Sequence, residues 1–360
     1  MKIAITVSQV TPGGGLTKYI CTLVEILSVD EKNEVWVITT HLSENNLTLS
    51  RWIDTKKNIK YIPLGDKTEI NRYVSLITVL RNYSPDVIIN NYNATTQYIL
   101  PFLSHKTKII HILHNNTPDF YRVAAINGRW VDAWIAPTPA LVGYFNEYTG
   151  NKYHERVFTI PHGVEWPIYK PIKDKTIPQL SFVGVLYEHK GVKVLPPIIK
   201  KLLSKNYKFH FLFIGDGILK DELTVDLQEE INAGIVEFTG RVTGDEVYKR
   251  LGQTDIFVYP THIDAFGLVI AESMINQAIP VVTHLKGITD SIVDDGVNGY
   301  LIGQDNVEMF VDRISQLLEN RDLRKKMSLS AERKAKACFS TDVMKKNYLA
   351  FINKLVGSKN

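Results

Sequence analysis

Short apolar runs alternate along this chain with segments long enough for helices, and the alternation starts twice. In the first half, Lys2–Val7, Glu34–Thr39, Ile59–Pro63 and residues 86–90, 108–113 and 132–136 read as strands, with helical patterns at 16–27 and Glu69–Tyr83. This order predicts a parallel sheet covered by helices on both faces. Residues 166–179, with Pro167, Pro171, Pro178 and three lysines, break the pattern and read as a linker. Strand-like runs then resume at 180–185, 208–214, 236–239, 255–259 and Ile279–Thr283. A length of 360 residues exceeds what one core usually holds. The expectation is therefore α/β, with two sheets of one general kind facing each other across a cleft. Ligands of such sheets bind beyond the carboxyl ends of the strands. No short-period repeat is visible, which excludes a solenoid.

Three strand ends carry candidate ligand groups. Residues 259–274 read Tyr-Pro-Thr-His-Ile-Asp-Ala-Phe-Gly-Leu-Val-Ile-Ala-Glu-Ser-Met, a buried strand end, a polar loop, and a helix opening near Phe266, Gly267 and Leu268. A helix start offers unpaired N–H groups and the positive end of its dipole, which suits phosphate. Asp264 lies just before that start and Glu272 five residues beyond Gly267, roughly 7 Å along the axis. Carboxylates beside an anion site need other partners, and hydroxyl groups suit them. Phosphate with hydroxyls at both ends describes a nucleotide sugar. After the first strand, Pro12-Gly13-Gly14-Gly15 lets backbone approach a ligand closely. It lacks the Gly-x-Gly-x-x-Gly spacing of a dinucleotide site. After another strand, His114 stands at the carboxyl edge.

The stretch 259–274 resembles the signature of family-4 retaining glycosyltransferases, in which two glutamates stand eight positions apart around Phe-Gly-Leu. Here the pair is Asp264 and Glu272, so the first acid is one methylene, about 1.5 Å, shorter. Further pieces agree. Phe182-Val183-Gly184-Val185-Leu186-Tyr187-Glu188-His189-Lys190-Gly191 matches the family's donor-diphosphate segment, with Lys190 kept and Val185 where an arginine is usual. His189 or Arg241, in Phe238-Thr239-Gly240-Arg241-Val242, is the candidate to compensate. His111-Ile112-Leu113-His114-Asn115-Asn116 matches the sugar-site histidine, with Asn115 replacing the usual Asp, and His162 of Ile160-Pro161-His162-Gly163-Val164 replaces the commoner Asn.

The resemblance implies a GT-B fold of two Rossmann-like domains. It places the N-terminal acceptor domain at 1–165, the linker at 166–179, the donor domain at 180–339 and a returning C-terminal helix at 340–360. It further implies His114, Lys190, Asp264 and Glu272 as catalytic residues. Gly13, Gly14, Gly15, Gly184, Lys190, Arg241, Phe266, Gly267, Leu268 and Glu272 would bind the donor, with Glu272 on the ribose. The activity implied is transfer of a sugar from a nucleoside-diphosphate sugar to a saccharide or lipid-linked acceptor, with retention, in polysaccharide or glycoconjugate synthesis. A nucleotide-sugar epimerase or hydrolase and a non-catalytic nucleotide-sugar-binding protein are the alternatives, because fold does not dictate chemistry.

Composition narrows the partners. Net charge is +4, which is not the profile of a nucleic-acid binder but tolerates an anionic membrane surface, and many family members make that contact. Clustered lysines and arginines occur at Lys56-Lys57, at 324–326 and at Arg333, Lys334 and Lys336. No apolar run reaches the roughly 20 residues that span a bilayer, and the N-terminus runs directly into a strand. Cytoplasmic residence is expected, peripheral at the inner face of the cell membrane. The two cysteines, Cys21 and Cys338, read as buried thiols. No His, Cys and carboxylate spacing suggests a metal, so neither metal nor cofactor is expected.

Overall fold

The computed structural model describes residues 1–9, 14–41, 58–65, 68–166, 171, 176–242 and 244–357. The chain divides into two compact units, Met1–Gly163 with Thr341–Asn360, and Val164–Ser340. Of the stretch read as a linker, residues 167–170 and 172–175 lie outside the described residues, and both of its ends fall in the second unit.

The first unit holds a seven-stranded sheet built from β1 (Lys2–Val7), β2 (Glu34–Thr39), β3 (Ile59–Pro63), β4 (Val87–Asn91), β5 (Lys108–Ile112), β6 (Ala133–Ala136) and β7 (Val157–Thr159). Their order is β3-β2-β1-β4-β5-β6-β7 and every pairing is parallel. β1 is flanked on both sides, Ile5 standing opposite Val37 of β2 and Ile89 of β4. Helices cover both faces, so the central strands are continuously buried rather than alternating, with Thr6, Asn90, Asn91 and His111 as the buried polar members. Helix Gly15–Ser28 buries Tyr19, Ile20, Leu23, Val24 and Leu27 against this sheet. The C-terminal helix, Thr341–Gly357, belongs to the same core through Met344, Tyr348 and Ile352.

The second unit repeats the plan. Its strands are β8 (Gln179–Val183), β9 (His210–Ile214), β10 (Val236–Phe238), β11 (Ile256–Tyr259), β12 (Ile279–Thr283) and β13 (Tyr300–Ile302), in the order β10-β9-β8-β11-β12-β13. Its core is rich in phenylalanine, with Phe182, Phe211, Phe213 and Phe257 fully buried and the rings of Phe213 and Phe238 stacked at 4.3 Å. In both sheets the chain steps one way from the first strand and then returns to its other side. The reversal lies between β1 and β4 in one and between β8 and β11 in the other, and this is where doubly wound sheets bind ligands.

Two strands, β7 and β13, were not expected. Each is an edge strand of three residues, too short for a period-2 signal. Cys338, expected to be buried, is exposed, and Cys21 is half-buried. Helix Arg321–Phe339 buries the stripe Met327, Ala331, Ala335 and Phe339, and Cys338 falls off that i, i+4 row.

Candidate functional site

In the second unit the two strands at the reversal deliver Lys190 and Asp264 to one place. Beyond β8, residues Glu188–Lys190 form a single 3₁₀ turn, and beyond β11 the chain runs through Pro260 to Asp264. The two loops are tied by main chain, the His262 N–H donating to the His189 carbonyl at 3.0 Å. Gly191, at φ +65°, makes the close approach possible, since a Cβ there would sit 1.8 Å from the Pro260 carbonyl oxygen. As a result Lys190 Nζ lies 3.0 Å from Asp264 Oδ2, with each side chain less than one-fifth exposed.

Asp264 is heavily engaged. Its Oδ2 also accepts from the Tyr259 hydroxyl at 2.8 Å, and its Oδ1 accepts from the N–H groups of Ala265 at 2.8 Å, Phe266 at 3.4 Å and Gly267 at 3.0 Å. A carboxylate offers about four lone-pair sites, and five donors reach this one. Burial pushes its pKa up, but Lys190, Tyr259 and the Ala265 amide outweigh burial and hold it below the ordinary value. Gly267, at φ +84°, turns the chain into helix Leu268–Ile275. The amides just before the helix are thus turned to Asp264, and those of its first turn, beginning with Leu268, are the ones an anion would meet.

Glu272 lies on that helix and is buried, with 6% of its surface exposed. Its carboxylate is hydrogen-bonded to the hydroxyl of Tyr248, from helix Asp245–Gln253, so it does not stand alone in apolar surroundings. Tyr248 also meets the backbone of Glu165, and burial followed by the charges of Glu272 and Glu165 raises its pKa. Gly184 follows β8 directly, its N–H donating to the Ile214 carbonyl. Arg241 is exposed beyond β10, two strands from β8 in the sheet, on the order of 10 Å away. His189 has its pKa lowered by burial, then by Lys190, with Asp264 opposing and His262 adding to the lowering. Val185 is 45% exposed at the same edge. A cavity of about 540 Å³ lined by Asp255, Gln277, Arg321 and Arg324 lies at the opposite, amino-terminal ends of these strands, and none of the predicted residues lines it.

The first unit holds the rest of the predicted set. Gly13 lies outside the described residues. Gly14 precedes helix Gly15–Ser28 at φ −84°, and a Cβ added to Gly15 would meet nothing within 4 Å. His114, beyond β5, packs edge-on to Tyr19 at 4.9 Å between ring centroids, with His162 at 6.0 Å. Tyr19 in turn lies 4.4 Å from His162 and shares a 2.6 Å hydroxyl contact with Tyr348. Nε2 of His114 stands 3.1 Å from Asn91 Oδ1. An amide oxygen only accepts, so Nε2 carries the proton and Nδ1 is left as an acceptor. Burial, then the charges of His162 and His111, hold the His114 pKa well below its usual value, keeping the ring neutral.

Sequence patterns singled out the ends of this arrangement but missed Tyr259, Tyr248, Tyr19 and Tyr348. A tyrosine in an apolar run or on a buried helix face looks like core, and its hydroxyl partner cannot be read from spacing. Among the described residues no group of three or more His, Cys, Asp or Glu is placed to hold a metal ion, and no helix is long and apolar enough to cross a membrane.

Comparison with solved structures gives the class. The chain superposes on the Anabaena protein HepE, solved with UDP, at a TM-score of 0.81 with 16% identity, over 98% of this chain and 100% of that one. It superposes on Staphylococcus aureus TarM, solved with fondaparinux, α-GlcNAc-glycerol and UDP, at 0.78 with 13% identity, over 98% and 99%. The fold is therefore GT-B, two Rossmann-like α/β domains. Residues 169–334 match the family model for glycosyl transferases group 1. Along 317 residues, 87% of each chain, the sequence is 26% identical to the uncharacterized glycosyltransferase MJ1178 of Methanocaldococcus jannaschii. It is 33% identical over 138 residues to the sulfoquinovosyl transferase SQD2 of Arabidopsis thaliana, a match covering 37% of this chain and 26% of that one.

Proposed function

We propose that this glycosyltransferase moves a sugar, with retention and without a metal, from a nucleoside-diphosphate sugar to a saccharide or lipid-linked acceptor. The observation that carries this is the meeting of Lys190 and Asp264 at the reversal of the second sheet, immediately before the start of helix Leu268–Ile275. Lys190 directs one N–H to Asp264 and one, at 3.4 Å, to the Ile263 carbonyl. Its third is the donor for a diphosphate oxygen, and the first-turn amides of the helix supply neutral donors beside it. Charge developing on a leaving diphosphate is stabilised most by donors already in place. Glu272, its carboxylate hydrogen-bonded to Tyr248, is assigned the ribose hydroxyls.

Asp264 supports the sugar indirectly, since its lone pairs are filled. His114, neutral with a free acceptor at Nδ1, takes a sugar hydroxyl. The first unit is assigned the acceptor and the second the donor. Two relatives support a polysaccharide or glycoconjugate product: the S. aureus capsular polysaccharide biosynthesis glycosyltransferase CapM is 23% identical over 185 residues, and its poly(ribitol-phosphate) α-N-acetylglucosaminyltransferase is 24% identical over 200 residues. The exposed Val185 favours one competing reading, a protein that binds a nucleotide sugar without turnover.

The test is to incubate the protein with UDP-glucose, UDP-N-acetylglucosamine and GDP-mannose and follow nucleoside diphosphate release, with and without saccharide and lipid-linked acceptors. Release that requires acceptor supports transfer, and an α-linked product from an α-linked donor supports retention. Acceptor-independent release, an isomerised donor, or binding without turnover would each replace this reading with hydrolase, epimerase or binding protein.

A further inference from the structure

Tyr259 ends β11 directly beneath the Lys190 and Asp264 pair. Its side chain is 2% exposed and its ring lies alongside Phe182, 5.9 Å between centroids at 26°. The hydroxyl donates to Asp264 Oδ2, and Lys190 Nζ stands 5.5 Å from the ring centroid. One rigid, buried side chain therefore touches both partners of the ion pair, one through a hydrogen bond and the other through its π face. Aspartate is short, and its Oδ1 is drawn back onto the amides of residues 265–267. That leaves Oδ2 as the oxygen that meets Lys190, and Tyr259 determines where Oδ2 points.

We propose that Tyr259 is the positioning residue of the donor site: its hydroxyl fixes the Asp264 carboxylate, its ring carries the Lys190 ammonium, and together they aim the remaining Lys190 N–H at a nucleoside diphosphate. The proposal deepens the nucleotide-sugar assignment and rests on it for the ligand. The charged and titratable groups facing Asp264 are Lys190 and His189 from the turn after β8 and Tyr259 from β11.

The experiment compares wild type with Tyr259→Phe, which keeps the ring and removes the hydroxyl. Two readouts are taken: UDP binding by calorimetry from pH 4 to 8, and the rate of reductive methylation of Lys190 measured by peptide mass spectrometry. Because the lost hydrogen bond reaches the ligand only through Asp264 and Lys190, UDP affinity is expected to weaken by less than the full bond, about threefold to tenfold. The acid limb of binding is expected to move to higher pH as Asp264 loses a donor, and Lys190 labelling to become several-fold faster. Unchanged labelling, or weaker binding with the acid limb unmoved, overturns the positioning role and leaves Tyr259 as packing alone. Should Tyr259→Phe fail to fold, Asp264→Asn is labelled instead, and a Lys190 rate equal to wild type overturns the proposal. Wild type that binds neither UDP nor GDP sinks the donor assignment, whereas the labelling result bears on the positioning role by itself.

Discussion

Lys190 and Asp264 stand 74 positions apart in the chain and 3.0 Å apart in space. The first sits after β8 and the second after β11, strands that are neighbours although two others intervene in sequence. Lys190→Ala removes the cation from the strand ends and leaves Asp264 with only neutral donors. Turnover is expected to fall about 10²- to 10³-fold, and stability by up to about 3 kcal/mol. The Asp264 pKa is held below 3.8, so the pair's contribution is complete above about pH 4 and is lost only as pH falls through the folded value. Steady-state kinetics and urea unfolding of the variant check both numbers, and turnover within threefold of wild type would remove Lys190 from the chemistry.

Gly191 is where that pairing is most exposed to a single methyl group. Gly191→Ala forces an L side chain into φ +65° at about 1–2 kcal/mol and drives a Cβ into the Pro260 carbonyl. The turn Glu188–Lys190 must then move off the β11 loop, carrying Lys190 with it. Donor KM is expected to rise tenfold or more, with a lowered Tm. A variant with normal donor KM would show that the contact between the two loops is dispensable.

Acid should weaken the first unit through its buried histidines. Burial lowers His111 to about 3, against an unfolded value of 6.5. Below pH 6.5 the unfolded chain binds the proton and the folded chain does not, so stability falls as pH falls. At about 1.4 kcal/mol per unit once the unfolded histidine is protonated, lowering the pH from 6.5 to 4.5 costs about 2 kcal/mol from this residue alone. Its Nδ1 meets Asn90 and Gln97 at 3.3 and 2.9 Å, so His111→Asn preserves a polar partner while removing the titration. Urea unfolding at pH 7.0 and 4.5 should show a distinctly shallower pH dependence in the variant, and an equal slope would reject His111 as the source.

The C-terminal helix is a structural part of the first unit. Tyr348→Phe removes the 2.6 Å hydroxyl contact to Tyr19 and is expected to cost about 1 kcal/mol. Deleting residues 341–360 takes Met344, Tyr348 and Ile352, each at most 1% exposed, out of the first unit's core. At about 2 kcal/mol per buried side chain the loss is at least 6 kcal/mol, most of a typical domain's stability. The deletion is expected to yield insoluble protein and the point variant a soluble one. A soluble, cooperatively folding deletion would contradict the shared core.

Local chemistry determined much of this protein. Short apolar runs separated by helical segments imposed two parallel sheets, and glycine or proline, as at Gly184, Gly215 and Pro260, marked where several strands end. Hence Lys190, Asp264, Glu272 and His114 could be placed at strand ends or on the following helix from order alone. Their partners were decided only when the sheets were assembled. The reversal in strand order makes β8 and β11 neighbours, and that adjacency allows Lys190 to meet Asp264 over the ring of Tyr259. The same holds for Tyr248 against Glu272 and for Tyr348 against Tyr19. Hydrophobic periodicity records which face of an element is buried, and it carries no information about which distant element will cover that face. A hydroxyl's hydrogen bond depends on that second fact, so these tyrosine pairings, in each unit by itself, became visible only in the tertiary structure.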